Sequence, residues 1–205
     1  VQNDILYRLV LASASPARRA LLKSAGIDAE TLVSGVDESV VDADDAYTLS
    51  LALARMKART VAARLEADPA VLVLGCDSVL AFEGQILGKP KNAAEAAERW
   101  RAMRGRSGVL HTGHHLTELV SGRQAEEVGT TVVHFADISD EEIDAYVRTK
   151  EPLNVAGAFT IDGRGAAFVE RVEGDPSNVI GLSLPLLRQL LAEFGVRITE
   201  LWRRR

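Results

Sequence analysis

Two arginines stand where a helix disfavours them. The stretch "LASASPARRALLKSAG", Leu11 to Gly26, reads as the end of a strand running into a helix, with Ser15 placed to cap it and Pro16 suited to the first helical position. Arg18 and Arg19 then fall in the first turn, where the macrodipole is already positive and carboxylates are preferred. Free backbone N–H groups at such a junction, with the small residues Ser13 and Ala14 beside them, would let an anion approach. One reading is that the cationic side chains reinforce an anion site, at some local cost, to hold phosphate. The other is that both reach solvent or a remote carboxylate.

A second irregularity is Asp77, inside "VLVLGCDSVLAF". A carboxylate in a buried strand is expensive unless it is paired or bound to metal, although a strand-end aspartate bonded to a turn would also explain it. Asp37 and Glu38, in "GVDES", follow another strand. Hard oxygen ligands of this kind suit Mg²⁺, which commonly takes one or two carboxylates together with substrate phosphates. Lys57 lies four residues after Leu53 on an expected helix, flanking its apolar stripe, and Lys89 sits between Gly88 and Pro90 after a short strand. Each lysine alone reads as a surface residue. With Arg18, a carboxylate pair and a glycine-containing loop, they make a triphosphate–Mg²⁺ clamp.

The elements that must position these groups alternate along the chain. "YRLVLAS" reads as a strand, 16–25 as a helix stopped by Gly26, and "AETLVSGV" as a second strand. From about Tyr47 to Glu66 the residues Leu49, Leu53, Met56, Thr60 and Val61 keep helical spacing. "AVLVLGCDSVLAF" is a buried strand by its continuous apolar run, and "EG" at 83–84 turns into "QIL". Asn92 caps a helix through about Met103, and "GVLHTGHHLTELV" with "QAEEVGTTVVHFADI" makes a long hairpin around "SGR". "SDEEIDAYVRT" is a helix with a capping box, Ser139 to Glu142. "GAAFVERVEG" is a further strand, and "LPLLRQLLAEFG" a helix with Pro185 near its start and Gly195 just past its end. This order predicts an α/β fold with a mixed sheet, in one unit spanning residues 1–205.

With 24 Lys plus Arg against 29 Asp plus Glu, the net charge of −5 gives no overall basic field for a nucleic-acid backbone. No apolar run is long enough to span a bilayer, and Asp4 and Arg8 interrupt the first one, so neither a membrane partner nor a signal peptide is expected. The terminal "RRR" reads as a solvated tail. Cys76, the lone cysteine, allows no internal disulfide and agrees with a reducing, cytoplasmic setting. It reads as a small buried strand residue rather than a nucleophile paired with His111, His114 or His115. A zinc site in "HTGHH" is disfavoured because strand positions three apart face opposite sides. Trp100 with Arg99 and Arg101 reads as a helix surface, not a nucleic-acid patch.

"LASASPARRALLKSAGI", "VDES", "LALARMKA", "LGCDSVLAFEGQILGKP", "DEEIDAYVRTKEPLNVAGAF" and "VIGLSLPLL" together resemble, in this order, the Maf family of nucleoside triphosphate pyrophosphatases, historically linked to septum formation. The resemblance implies a twisted mixed sheet flanked by helices, with two lobes around a cleft, related to the inosine triphosphatase architecture. It implies hydrolysis between the α- and β-phosphates to a nucleoside monophosphate and pyrophosphate, with Mg²⁺ or Mn²⁺, and a dimer is common in the family. Carried onto this sequence, Asp77 is the proton acceptor and a metal ligand, Glu38 lies near the metal, and Ser13, Ser15, Arg18, Lys57 and Lys89 face substrate phosphates. Three places govern base choice in the family. The thymidine/uridine-triphosphate branch has "SPRR", "ADT" and "GIQG" there; the 7-methyl-GTP branch has "SPWR", "SDQ" and an acidic residue. Here they read Ala17, Ser78 and Asp162, of which only Asp162 leans to the second branch, so base choice stays open. A nucleotide-binding regulator of cell division that senses a triphosphate without cleaving it is the non-enzymatic alternative.

Overall fold

The computed structural model describes residues 7–202; the terminal arginines expected as a tail, and the first six residues, lie outside them. In chain order the main elements are β1 (Arg8–Leu11), α1 (Pro16–Ser24), β2 (Glu30–Thr31), α2 (Ala46–Ala62), β3 (Val71–Phe82) and β4 (Gln85–Leu87). They continue with α3 (Ala93–Met103), β5 (Ser107–Glu118), β6 (Gln124–Phe135), α4 (Asp140–Arg148), β7 (Val169–Glu173), α5 (Pro176–Ile180) and α6 (Leu184–Glu193). The strands form one mixed sheet ordered β2-β1-β3-β5-β6-β7, with β4 paired to β3. β1 runs parallel to β2 and β3, and β3, β5, β6 and β7 are mutually antiparallel neighbours.

Alternation along the strands feeds a core on each face. Leu9, Leu11, Leu72, Leu74, Cys76 and Leu116 pack with Leu22 of α1 and Leu187, Leu190 and Leu191 of α6. The intervening Val10, Ala12, Val71 and Val73 pack on the other face with Ala58 and Val61 of α2. Burial on both faces is why β1 and the first half of β3 read as unbroken apolar runs. Further along β3, Leu80 and Phe82 join Leu110, Phe135 and the α3–α4 residues Trp100, Met103, Ile143 and Tyr146 in a third cluster. Among the described residues no helix is long and apolar enough to cross a membrane.

Four sequence expectations need correcting. The strand expected over 29–36 shrinks to Glu30–Thr31, because the Arg64 guanidinium, not a neighbouring strand, takes the carbonyls of Val33 and Ser34. The strand expected from 165 begins only at Val169, after a short 3₁₀ helix, Arg164–Phe168. There the Glu151 carboxylate accepts from Arg164 N at 3.1 Å, Gly165 N at 3.0 Å and Thr160 Oγ1 at 2.6 Å, and so winds the chain. Trp100 is no surface residue: it is fully buried and donates its indole N–H to Ala158 O at 2.7 Å. Finally, the buried face of α2 holds Ser50, Leu53, Ala54, Lys57, Ala58 and Val61, while Leu49, Met56 and Thr60 are only partly covered. The cause lies in the sheet. Gly75 and Gly113 leave no room for a Cβ (2.1 Å from Ala54 O and 2.3 Å from Ser50 O), so α2 settles its small residues there and carries Lys57 inward.

Candidate active site

At the β1–α1 junction Ser15 caps as expected, its Oγ accepting from Arg18 N at 3.4 Å, and Pro16 opens the helix with no acidic residue in the first turn. Arg19 is exposed. Arg18 is buried, 8% exposed, and among the described residues its side chain hydrogen-bonds no carboxylate. Its Nε donates to Gly181 O at 2.6 Å, Nη1 to Ser13 Oγ at 3.2 Å and Nη2 to Ser78 Oγ at 3.0 Å. Among the described residues none of its partners is an anion. A guanidinium has five N–H donors, so two remain, along with a full positive charge. Ser13 is buried too, and its oxygen accepts from both Arg18 Nη1 and Ser15 N, the latter at 3.1 Å. With both lone pairs engaged, its hydroxyl hydrogen is what it has left to offer. The junction therefore presents donors and positive charge only, which is the chemistry of an anion site.

The neighbouring residue on β3 carries the opposite charge. Asp77 pairs across the sheet with Gly113 and is 8% exposed. Burial pushes its carboxyl above the ordinary value, opposed by the ammonium of Lys57 and then by the charge of Arg18. Arg18 Nη2 donates to Ser78, the residue next to Asp77 on β3, so the cationic junction and this carboxylate share one neighbourhood. Lys57 Nζ lies 2.5 Å from Asp77 Oδ1 and 2.7 Å from Glu38 Oε1. Glu38 opens a 3₁₀ turn, Glu38–Val40, whose cap is Asp37 accepting from Ser39 N at 3.0 Å. Of the acidic pair seen in the sequence, Asp37 thus shapes the turn and Glu38 faces the site.

Two carboxylates converging on a single ammonium form a hard-oxygen donor set of the sort a divalent cation uses with substrate oxygens. Among the described residues no group of three or more His, Cys, Asp or Glu side chains could hold a metal, so Glu38 and Asp77 would have to be completed by ligand oxygens.

Ser13, Ser15, Arg18 and Ser78 are thus gathered on one side, and Glu38, Lys57 and Asp77 on the other. Ala17 is half-buried in α1 beside Arg18. Lys89 is exposed, as is Asp162 in the bend before the Arg164–Phe168 turn, and among the described residues neither makes a hydrogen bond or ion pair with the cluster. Cys76 is fully buried, its thiol pushed up to about 12 by burial, which suits the inert reading. His111 stacks edge-on to Tyr47 at 5.9 Å, whereas His114 Nε2 accepts from Ser183 N at 2.9 Å on the α6 side. Sequence reading missed Gly181, Thr112 and Asn178. The "NVIGLS" run between Asp175 and Leu184 was the signal for Asn178 and Gly181, and nothing marked Thr112.

In this α/β fold a strand–helix junction, whose buried arginine has no anionic hydrogen-bond partner among the described residues, thus stands next to two carboxylates on a shared ammonium. The chain belongs to the Maf-like protein family, whose family model matches residues 8–194. A protein of Salinispora tropica named nucleoside triphosphate pyrophosphatase is 63% identical, aligned over 100% of this chain and 91% of the relative. One of the same name from Streptomyces coelicolor is 58% identical over 95% of this chain and 94% of its own length. Another, from Microcystis aeruginosa, is 54% identical over 95% of this chain and 98% of its own.

Proposed function

We propose that this chain is a metal-dependent nucleoside triphosphate pyrophosphatase, cleaving between the α- and β-phosphates to a nucleoside monophosphate and pyrophosphate. The observation that carries the reading is the Lys57 ammonium holding Glu38 and Asp77 together beside the unneutralised Arg18. The names of the relatives support the same activity. The substrate would lie in a cleft between two lobes, with Lys89 and Asp162 approaching it only when nucleotide is bound.

Water must attack a phosphorus screened by negative oxygens, so the residues act chiefly by neutralising charge and fixing geometry. Arg18 and the Ser13 hydroxyl would take phosphate oxygens through their remaining donors. Lys57, released from its carboxylates, would do the same. Asp77 would accept the proton of the attacking water, and the burial that raises its carboxyl makes it a better acceptor than a solvated aspartate. Glu38 and Asp77 would hold the divalent cation, Mg²⁺ or Mn²⁺, whose contribution when bound is charge neutralisation on the polyphosphate.

Pyrophosphate release from a panel of normal and modified nucleotides, with Mg²⁺ or Mn²⁺, tests the reading and fixes the base choice. Asp77→Asn should lower kcat by on the order of 10²–10⁴-fold. A near wild-type rate would remove Asp77 from the chemistry. Tight nucleotide binding with no product from any nucleotide would leave the regulator described above as the better account.

A further inference from the structure

Behind Arg18 lies a set of polar groups no ligand can reach. Thr112 and Asn178 are both fully buried. Thr112 Oγ1 donates to Asn178 O at 3.0 Å, which spends its single hydrogen. The 2.9 Å contact between Ser78 Oγ and Thr112 Oγ1 can then run in one direction only, with Ser78 as donor. Ser78, its hydrogen committed, receives the Nη2–H of Arg18. Hydrogen bonds thus point one way from Arg18 through Ser78 and Thr112 to Asn178, each polarising the next. The chain also closes on itself. Gly181 N donates to Asn178 O at 3.0 Å, and Gly181 O accepts from Arg18 Nε at 2.6 Å. Gly181 has φ +123°, and a Cβ there would sit 3.1 Å from Arg18 Nε, so only glycine lets the backbone come this close. Asn178 is in turn pinned to β6, its amide donating to Thr131 Oγ1 at 3.2 Å.

We infer that Thr112 and Asn178 are positioning residues that aim the Arg18 guanidinium, gripping it from two sides through this closed ring. The inference rests on the reading of Arg18 as a phosphate ligand. Two of the guanidinium donors are tied into the ring, so its remaining N–H groups keep a fixed direction. A guanidinium held this way loses little freedom when an anion arrives. Ser78 in the same ring can offer a ligand a lone pair but no hydrogen.

The test is Thr112→Val, which keeps the side-chain shape and deletes the hydroxyl, compared with Thr112→Ser, which keeps the hydroxyl. Asn178 O retains its bond from Gly181 N in both. Thr112→Val should lower kcat/KM roughly tenfold, as a small misplacement of a binding group does. Thr112→Ser should stay within about twofold of wild type, and the loss on going to Val should vanish in an Arg18→Ala background. A Thr112→Val enzyme within twofold of wild type overturns the inference. So does an equal loss in Thr112→Ser, or a loss of unchanged size without Arg18, because either means a merely structural role. If Thr112→Val does not fold, Thr112→Ala takes its place in the same cycle. The Arg18 Nε–H resonance, assigned by its disappearance in Arg18→Lys, gives a readout independent of activity. It should exchange slowly in wild type and in Thr112→Ser, and at least tenfold faster in Thr112→Val with the backbone spectrum retained. A wild type that releases no pyrophosphate sinks the proposed function alone, and the resonance still decides the positioning role.

Discussion

His114 shows how one side chain ties the site to acid stability. It is fully buried on β5, and burial, with Arg18 nearby, depresses its imidazole to about 4. The folded protein holds it neutral while the unfolded chain protonates it near its ordinary value. Between those two values the unfolded state binds more protons, so stability falls as pH drops from about 6.5 toward 4. His111 and His115 are shifted the same way by burial and add to the slope. Glu126, held at about 2 by Arg55 and His115, contributes stability that is lost only at lower pH, as its carboxylate protonates on the way to that value. His114→Gln, which keeps an acceptor for Ser183 N, should therefore show a shallower decline of the thermal midpoint across that window. Parallel curves for the two proteins would refute this. Single residues of this site were legible in the sequence to the extent that they broke a local rule. Arg18 contradicted the helix dipole and Asp77 interrupted an apolar run, so both stood out. Their partners broke nothing: Gly181 lies 163 positions from Arg18, and Thr112 is an ordinary strand threonine until the fold sets Ser78 against it.

At the scale of elements, the decisive contact is α2 against the sheet. The apolar spacing correctly announced a helix but put Lys57 at its flank, because hydropathy ranks Leu49 and Met56 above Ser50 and Ala54. Which face goes inward was decided instead by two glycines on other strands, which admit small residues and reject large ones. Gly75→Ala would drive a methyl against the Ala54 carbonyl, backbone against strand, with nothing flexible to yield. The expected cost is about 3 kcal/mol or more, a fall of roughly 6–12 °C in Tm, with activity lost as α2 lifts Lys57 away from Asp77. An unchanged melting temperature would mean the helix is not seated as described. The same physics explains the strand errors. Glu151 winds the segment before β7, and Arg64 satisfies the carbonyls after β2; both act from far along the chain on stretches whose own composition favours strand.

For the molecule as a whole, the net charge of −5 gives a triphosphate no long-range attraction, so under the proposed function capture would fall to Arg18 and Lys57 at short range. Lys57 is paired with Glu38 and Asp77, and a cation held by those carboxylates would release it. Metal and nucleotide should therefore bind as mutual helpers. A non-hydrolysable triphosphate with Mg²⁺ at about 100 times its Kd should stabilise the fold by about 2.7 kcal/mol, roughly 5–10 °C in Tm. Chelation should remove most of that shift, and Glu38→Gln should weaken the metal-dependent part. Equal shifts with and without the cation would break the proposed coupling.

The lone cysteine has a practical use beyond its packing. Cys76 sits at the middle of β3, wholly covered, one residue before Asp77. Since no other sulfhydryl competes, a coloured thiol reagent can attack this chain only when the centre of the sheet comes apart. The protein thus carries a built-in clock for opening events beside Asp77, readable in a cuvette without any label being introduced.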